Sequence, residues 1–238
     1  MKIIFYPANE RGYANHNWLE ARHSFSFASY SNSTKNNFGV LRVLNDDIVQ
    51  GGEGFGAHPH DNMEIVTIPL KGALAHKDNT GRNEIIKTGD VQMMSAGTGI
   101  THSEFNASET EPVNLLQIWI FPKVRNVEPK YQQITFDKSD FDNQLKVVVS
   151  PDKSEKVLSL NQDAWFTIGE LKKDNKQNYK IKKSGNGVYA FVIEGSVKIS
   201  NTLLNKRDGL GIWETSELEI NPEQDSKILL MDIPMEIN

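Results

Sequence analysis

Two short segments hold most of the side chains able to grip a metal: His58-Pro59-His60, followed by Glu64, and His102-Ser103-Glu104 some forty residues later. Residues two apart on a strand project from the same face, so each segment offers a two-pronged grip. If the two segments lie side by side, three imidazoles and one carboxylate, from His58, His60, His102 and Glu104, converge on one point. Neutral imidazole suits Fe, Ni, Cu, Zn and Co, and a carboxylate oxygen favours Fe(II), Mn or Ni over Cu(I). A single His-x-His pair is a weak signal, because isolated histidines more often make hydrogen bonds. Two such pairs in one glycine-punctuated region are harder to assign to chance. His16 and His23 have no neighbour at ligand spacing and are expected to bond within their own loop.

The elements that must position these residues read as β-strands. Strands are expected at residues 2–6, 38–47, 64–72, 73–78, 84–88, 91–95 and 113–121, the last a near-continuous apolar run that should be fully buried. Between residues 9 and 37 the chain is polar and aromatic, which predicts a loop with one short strand at residues 23–27. Gly51, Gly52, Gly54 and Gly56 lack the Gly-Lys-Ser/Thr of a phosphate loop; they are expected to let the backbone bend into the histidine strand. Residues 122–133, with Pro122 and Pro129, read as an extended crossover. The second half repeats the rhythm, with strands expected at residues 145–150, 157–160, 165–171, 188–193, 197–200, 211–214 and 227–233. Residues 189–195 parallel residues 64–72, and Arg207-Asp208-Gly209 sits where Gly89-Asp90 would. No histidine follows His102, so the second copy is assigned a structural or pocket-shaping role. Short strands at this spacing, with no convincing helical periodicity before residue 120, indicate an antiparallel sandwich or barrel.

Composition narrows the chemistry. The chain has 238 residues, 24% of them charged and 38% hydrophobic, as in an ordinary globular protein of one large or two modest domains. There are no cysteines, which excludes disulfides, thiolate metal sites and iron–sulfur clusters, so any metal must sit on N and O. A formal net charge of -5 argues against direct nucleic-acid binding. Lys172, Lys173, Lys176, Lys180, Lys182 and Lys183 are interleaved with Glu170 and Asp174 and are expected on a solvated loop. No apolar stretch reaches the length of a membrane span and no targeting segment is evident, so a cytoplasmic location is expected.

The spacing Gly52-x5-His58-x-His60-x3-Glu64, then Gly72, resembles the first cupin motif. Gly89-x5-Ser95-x-Gly97 with His102-x3-Asn106 resembles the second. Trp18-Leu19, residues 23–27, residues 64–67, residues 90–100, His102-Ser103-Glu104 and residues 117–120 together resemble the pirin family of bicupins, densely over the first 133 residues and loosely beyond. The resemblance implies an all-β fold of two tandem cupin (jelly-roll) barrels. Residues 1–133 would form the metal-binding barrel and residues 134–238 a degenerate one without ligands. It implies His58, His60, His102 and Glu104 as the metal ligands, with Glu64 in the barrel wall. Bacterial members act as quercetin 2,3-dioxygenases. The implied activity is metal-dependent cleavage of a flavonol such as quercetin by O2, releasing carbon monoxide, with Glu104 as general base. Fe(II) is the first choice of metal, then Ni, Co, Mn, Cu or Zn. Phe38, Phe55, Met63, Met93, Phe105 and Ile118 are candidates for an apolar lining, and Asp78, Arg42 and Gln117 for an approach to the site. A monomer is expected. The same resemblance supplies an alternative, a non-enzymatic metal-dependent co-regulator acting by contact with a protein partner.

Overall fold

The computed structural model describes residues 1–152 and 156–237. In the first half the strands are β1 (Lys2–Tyr6), β2 (Gly12–Asn15), β3 (Leu19–His23), β4 (Leu41–Val49), β5 (Gly54–His60), β6 (Glu64–Lys71), β7 (Ala73–Asp78), β8 (Asn83–Lys87), β9 (Asp90–Ser95), β10 (Ile100–Asn106), β11 (Val113–Ile120) and β12 (Lys130–Thr135). In the second they are β13 (Leu145–Ser150), β14 (Leu158–Ser159), β15 (Trp165–Leu171), β16 (Gln177–Lys180), β17 (Asn186–Glu194), β18 (Ser196–Ile199), β19 (Thr202–Asn205), β20 (Gly209–Trp213), β21 (Glu217–Pro222) and β22 (Ser226–Pro234). Among the described residues, helical structure is limited to single 3-10 turns at Ala8–Glu10 and Lys138–Asp140.

The strands form two matching pairs of sheets. One large sheet runs β12-β9-β6-β11-β4-β3-β2 and faces a four-stranded sheet β5-β10-β7-β8. The other large sheet runs β1-β20-β17-β22-β15-β13-β14, with a four-stranded sheet β16-β21-β18-β19. The order is the same in both, so residues 189–195 on β17 do occupy the place of residues 64–71 on β6. Two tandem cupin barrels result. One strand departs from a division at residue 133: β1 pairs with β20, Lys2 opposite Trp213 through Tyr6 opposite Gly209. It takes in the second barrel the edge that β12, paired with β9, takes in the first.

The large sheets share a core. Phe38, Leu44, Val66, Met93 and Ile118 of the first half pack in one cluster with Phe166, Tyr189, Phe191, Leu229 and Met231 of the second. Each such apolar side chain taken from water stabilises the fold by roughly 1.5–3 kcal/mol. The apolar run at residues 113–121 is the central strand β11, buried along most of its length as expected.

Several expectations need correction. No strand forms at residues 23–27; β3 ends at His23. Ser26 instead donates to Asn32 O and accepts from its N–H, and Phe27 pairs backbone to backbone with Tyr30, so local hydrogen bonds replace a ladder. The crossover at residues 122–133 ends early, because Lys130–Thr135 forms β12. The sequence does not mark the outer strands β16, β19 and β21: β16 and β21 alternate few apolar residues with charged or polar ones, and β19 is only four residues long with Leu203 turned to solvent beside buried Leu204. The lysine-rich stretch is therefore only partly loop: β16 runs through it and buries Tyr179.

Candidate metal centre

β5 and β10 pair antiparallel with His102 opposite His58 and Ile100 opposite His60. The two-residue spacing keeps His58 and His60 on one face, and the register sets His102 beside them. Ring centroids lie 4.9 Å apart for His58 and His60, 4.5 Å for His58 and His102, and 4.9 Å for His60 and His102. One nitrogen from each falls within 4.8 Å of the others, a triangle that can hold an ion. β5 is an edge strand, which tolerates Pro59 between the ligands. Beyond His102 the register slips by a bulge, bringing Glu104 opposite Phe55. At Gly54 any Cβ would lie 2.4 Å from Glu104 O, so glycine is needed where the strands approach.

The donor chemistry fits a divalent cation. Gly56 O accepts from His58 Nδ1 at 2.8 Å, which leaves Nε2 as a lone pair. His60 Nε2 and His102 Nε2 are enclosed and have no hydrogen-bond partner, a costly arrangement unless an ion completes it. Burial, with help from His58, lowers the His60 imidazole to about 4. Burial, followed by the charges His58, His60 and His76 would carry, lowers His102 to about 3. Both are neutral near pH 7, as ligation requires.

Glu104 is buried and falls into a second group of potential donors with His76 and His102. Its Oε2 accepts from Gln117 Nε2 at 3.1 Å, and Gln117 Oε1 accepts from Trp119 Nε1 at 3.1 Å, so one chain of bonds fixes both the amide and the carboxylate. Burial raises the Glu104 pKa, against the opposing effect of Gln117 and of His58. Glu64, by contrast, is a wall residue, bonded by Ser95 Oγ and by Asn161 N from the second half.

A cavity of about 200 Å³ ends at His58, His60 and Glu104. Phe27, Phe55 and Trp119 give it aromatic walls; Asn45, Asp47 and Gln117 give it polar ones. Larger surface hollows of about 640 and 530 Å³ are lined by mixed charges remote from the histidines. Only Phe55 of the six expected lining residues takes part. Phe38, Met93 and Ile118 belong to the shared core, Phe105 points to solvent, and Met63 packs on the small cluster of Ile65, Met94, Ala96 and Ile100. Of the three expected to approach, Gln117 does so. Asp78 stands opposite His102 across β7 and β10 and bonds His76, and Arg42 serves the 24–40 loop by donating to Ser26 O. His16 is exposed, and His23, expected to bond within its own loop, instead bonds Asn45 Oδ1 on β4 at 2.9 Å; neither falls in a group of potential metal donors.

Sequence reading missed Asp47, Phe27 and His76. Asp47 is 5% exposed and its Oδ1 has no partner. Burial first, then Asp46 and Glu104, push its carboxyl up to about 8. The signal was present for His76: with Asp78 it makes a third pair at two-residue spacing.

Comparison with known proteins agrees with this geometry. The pirin family model matches residues 6–120, and the model of the quercetinase C-terminal cupin domain matches residues 147–233. The chain is 42% identical to a quercetin 2,3-dioxygenase of Escherichia coli (strain K12) over 98% of its own length and 99% of that protein's. It is 37% identical to a pirin-like protein of Caulobacter vibrioides, over 95% and 97%. The structure superposes on that of the bacterial pirin YhhW of Escherichia coli in complex with nickel(II) with a TM-score of 0.93, at 40% identity, covering 99% of this chain and all of that one.

Proposed function

The chain belongs to the pirin family, and on that footing we propose that it is a metal-dependent dioxygenase cleaving a flavonol such as quercetin with O2 and releasing carbon monoxide. The observation that supports this most is a cavity with aromatic walls that ends on His58, His60 and Glu104, two of the three converging histidines and the candidate carboxylate. A closed site would have favoured the co-regulator.

His58, His60 and His102 would hold the ion, with Glu104 as a fourth donor. Fe(II) is our first choice; nickel is the ion in the related structure. When bound, the metal supplies Lewis acidity toward the flavonol 3-hydroxyl. Glu104 would take the proton of that hydroxyl on a carboxylate oxygen, a role its raised proton affinity suits. Gln117, itself held by Trp119, keeps the carboxylate turned to the cavity. Phe27, Phe55 and Trp119 would sandwich one ring and exclude water, while the rest of a flavonol reaches outward from a cavity of about 200 Å³. Asp47, neutral near pH 7, would donate a hydrogen bond to a substrate oxygen. Among the described residues no helix is long and apolar enough to cross a membrane, and we place the protein in the cytoplasm as a monomer.

The test is an aerobic assay of metal-loaded protein with quercetin, following loss of flavonol absorbance and release of carbon monoxide. Release that needs both the metal and Glu104, absent in Glu104→Ala, is the expected result. Stoichiometric metal with no carbon monoxide would overturn the reading.

A further inference from the structure

β7 brings His76 and Asp78 against the back of His102, on the side away from the triangle. His76 is fully buried, its Nδ1 3.4 Å from His102 Nδ1 and its Nε2 3.4 Å from Asp78 Oδ2. Asp78 is anchored in turn: its Oδ1 accepts from Thr80 Oγ1 at 2.6 Å, from Thr80 N at 2.9 Å and from Arg82 N at 3.3 Å. The His76 ring also packs on Tyr131 at 5.0 Å, and Arg82 caps the far side of the column, 4.6 Å from the Tyr131 centroid.

The proton order in this column follows from its far end. A carboxylate only accepts, so His76 Nε2 carries the proton toward Asp78. Neutral His76 then has a bare Nδ1, and the facing His102 Nδ1 must be the donor, since two bare or two protonated nitrogens would repel. That leaves His102 Nε2 as a lone pair, and Nε2 is the buried atom without a partner. We propose that His76 and Asp78 are positioning residues that fix the tautomer and ring angle of His102, so that its Nε2 is presented to the metal. This rests on His102 being a ligand, as in the proposed function, but not on the flavonol as substrate. His76 also groups with His102 and Glu104 as a potential donor; both its nitrogens are already engaged, which makes it a support and not a ligand.

The experiment is Co(II) binding to the full-length chain by competition with a chelator, together with the visible Co(II) spectrum. The variants are His76→Phe, His76→Gln and Asp78→Asn. Loss of such outer partners typically weakens metal binding roughly 10–100-fold. His76→Phe, which cannot accept from His102, should fall in that range. His76→Gln keeps an acceptor and should recover part of the affinity, and Asp78→Asn should lie between it and the parent, all with an unchanged coordination number. If His76→Phe does not fold, the Gln and Asn variants decide. Affinities within twofold of the parent in the variants that fold would overturn the inference. So would a spectrum showing one ligand lost, because His76 would then be a ligand, or a parent that binds no Co(II). A parent that binds Co(II) and shows the expected order, yet never cleaves quercetin when loaded with any metal, would leave this inference standing and sink the proposed function.

Discussion

In the first barrel His102 on β10 lies opposite His58 on β5; at the corresponding place in the second, Leu218 on β21 lies opposite Tyr179 on β16. Around that second pair the interior is filled by Val188, Val192, Ile199, Leu204 and Ile220, all buried. The buried carboxylate beside it, Asp232, is fully engaged, accepting from Tyr179 Oη at 3.2 Å, Lys182 N at 2.6 Å and Asn186 Nδ2 at 2.7 Å. The first barrel leaves His60 Nε2 and Asp47 Oδ1 without partners around an open cavity, and His102 Nε2 without one beside His58 and His60. One strand order thus accommodates either an aliphatic filling or an unsatisfied polar one. The second barrel has unpartnered atoms too, Thr167 Oγ1 and Asn221 Oδ1, so what distinguishes the site here is that the incomplete groups are imidazoles and a carboxyl gathered at one place.

If that contrast is right, the two barrels should fail in opposite ways. The largest effect is expected at His60→Ala, which should abolish turnover and weaken Co(II) binding by more than roughly a hundredfold, beyond the usual cost of an outer partner. The metal-free variant should melt close to the parent in calorimetry, because the removed ring borders a cavity. Activity surviving in His60→Ala would break the comparison. Leu218→Ala should do the reverse: a loss of roughly 2–5 kcal/mol in urea unfolding, as for other buried leucines, with Co(II) affinity unchanged.

Asp47→Asn sharpens the contrast through pH. In the fold the Asp47 carboxyl titrates near 8, against about 4 in an unfolded chain. Across that window the fold holds a proton that the unfolded chain has released, so stability of the metal-free protein falls as pH rises. Asparagine has no proton to lose. The variant should therefore gain on the parent between pH 4 and 8, by up to about 1.4 kcal/mol per pH unit, with no growth of the gap below pH 4. Urea titrations at pH 4, 6 and 8 measure it; a gap that does not widen would remove Asp47 as an unsatisfied group. The smallest effect is expected at Trp119→Phe. It keeps a ring against His60 but removes the donor to Gln117 Oε1, costing about 1 kcal/mol and a several-fold fall in kcat by the same assay.

The first barrel's candidate ligand pairs were legible because ligation demands a residue type at a spacing, and a strand's two-residue period preserves both in the sequence. His58, His60 and His102 needed only the register between β5 and β10. His76 looked like a lone histidine, because the partner that gives it meaning, His102, lies across a strand pair. Phe27 and Asp47 were illegible for another reason: an irregular loop carries the first into the cavity, and the second is one acid on a strand whose neighbours are buried too. The lining residues were misplaced because apolar side chains on the strands of the large sheets serve either the barrel interior or the shared core, and sequence alternation marks two faces without saying which is which. The outer strands of the second barrel were missed for want of contrast, although β17, β20 and β22 of its large sheet stood out.

The exchange at the sheet edges bears on how the molecule is assembled. β1 closes the second barrel by pairing with β20, some two hundred residues further along. Closing so long a loop is slow, and until it closes the edge of β20 has bare N–H and C=O groups that any other strand could take up. Residues 134–238 alone therefore lack one edge strand of the second barrel. Residues 2–6 work as a latch, and a chain in which they are displaced presents that edge on the barrel without the histidines.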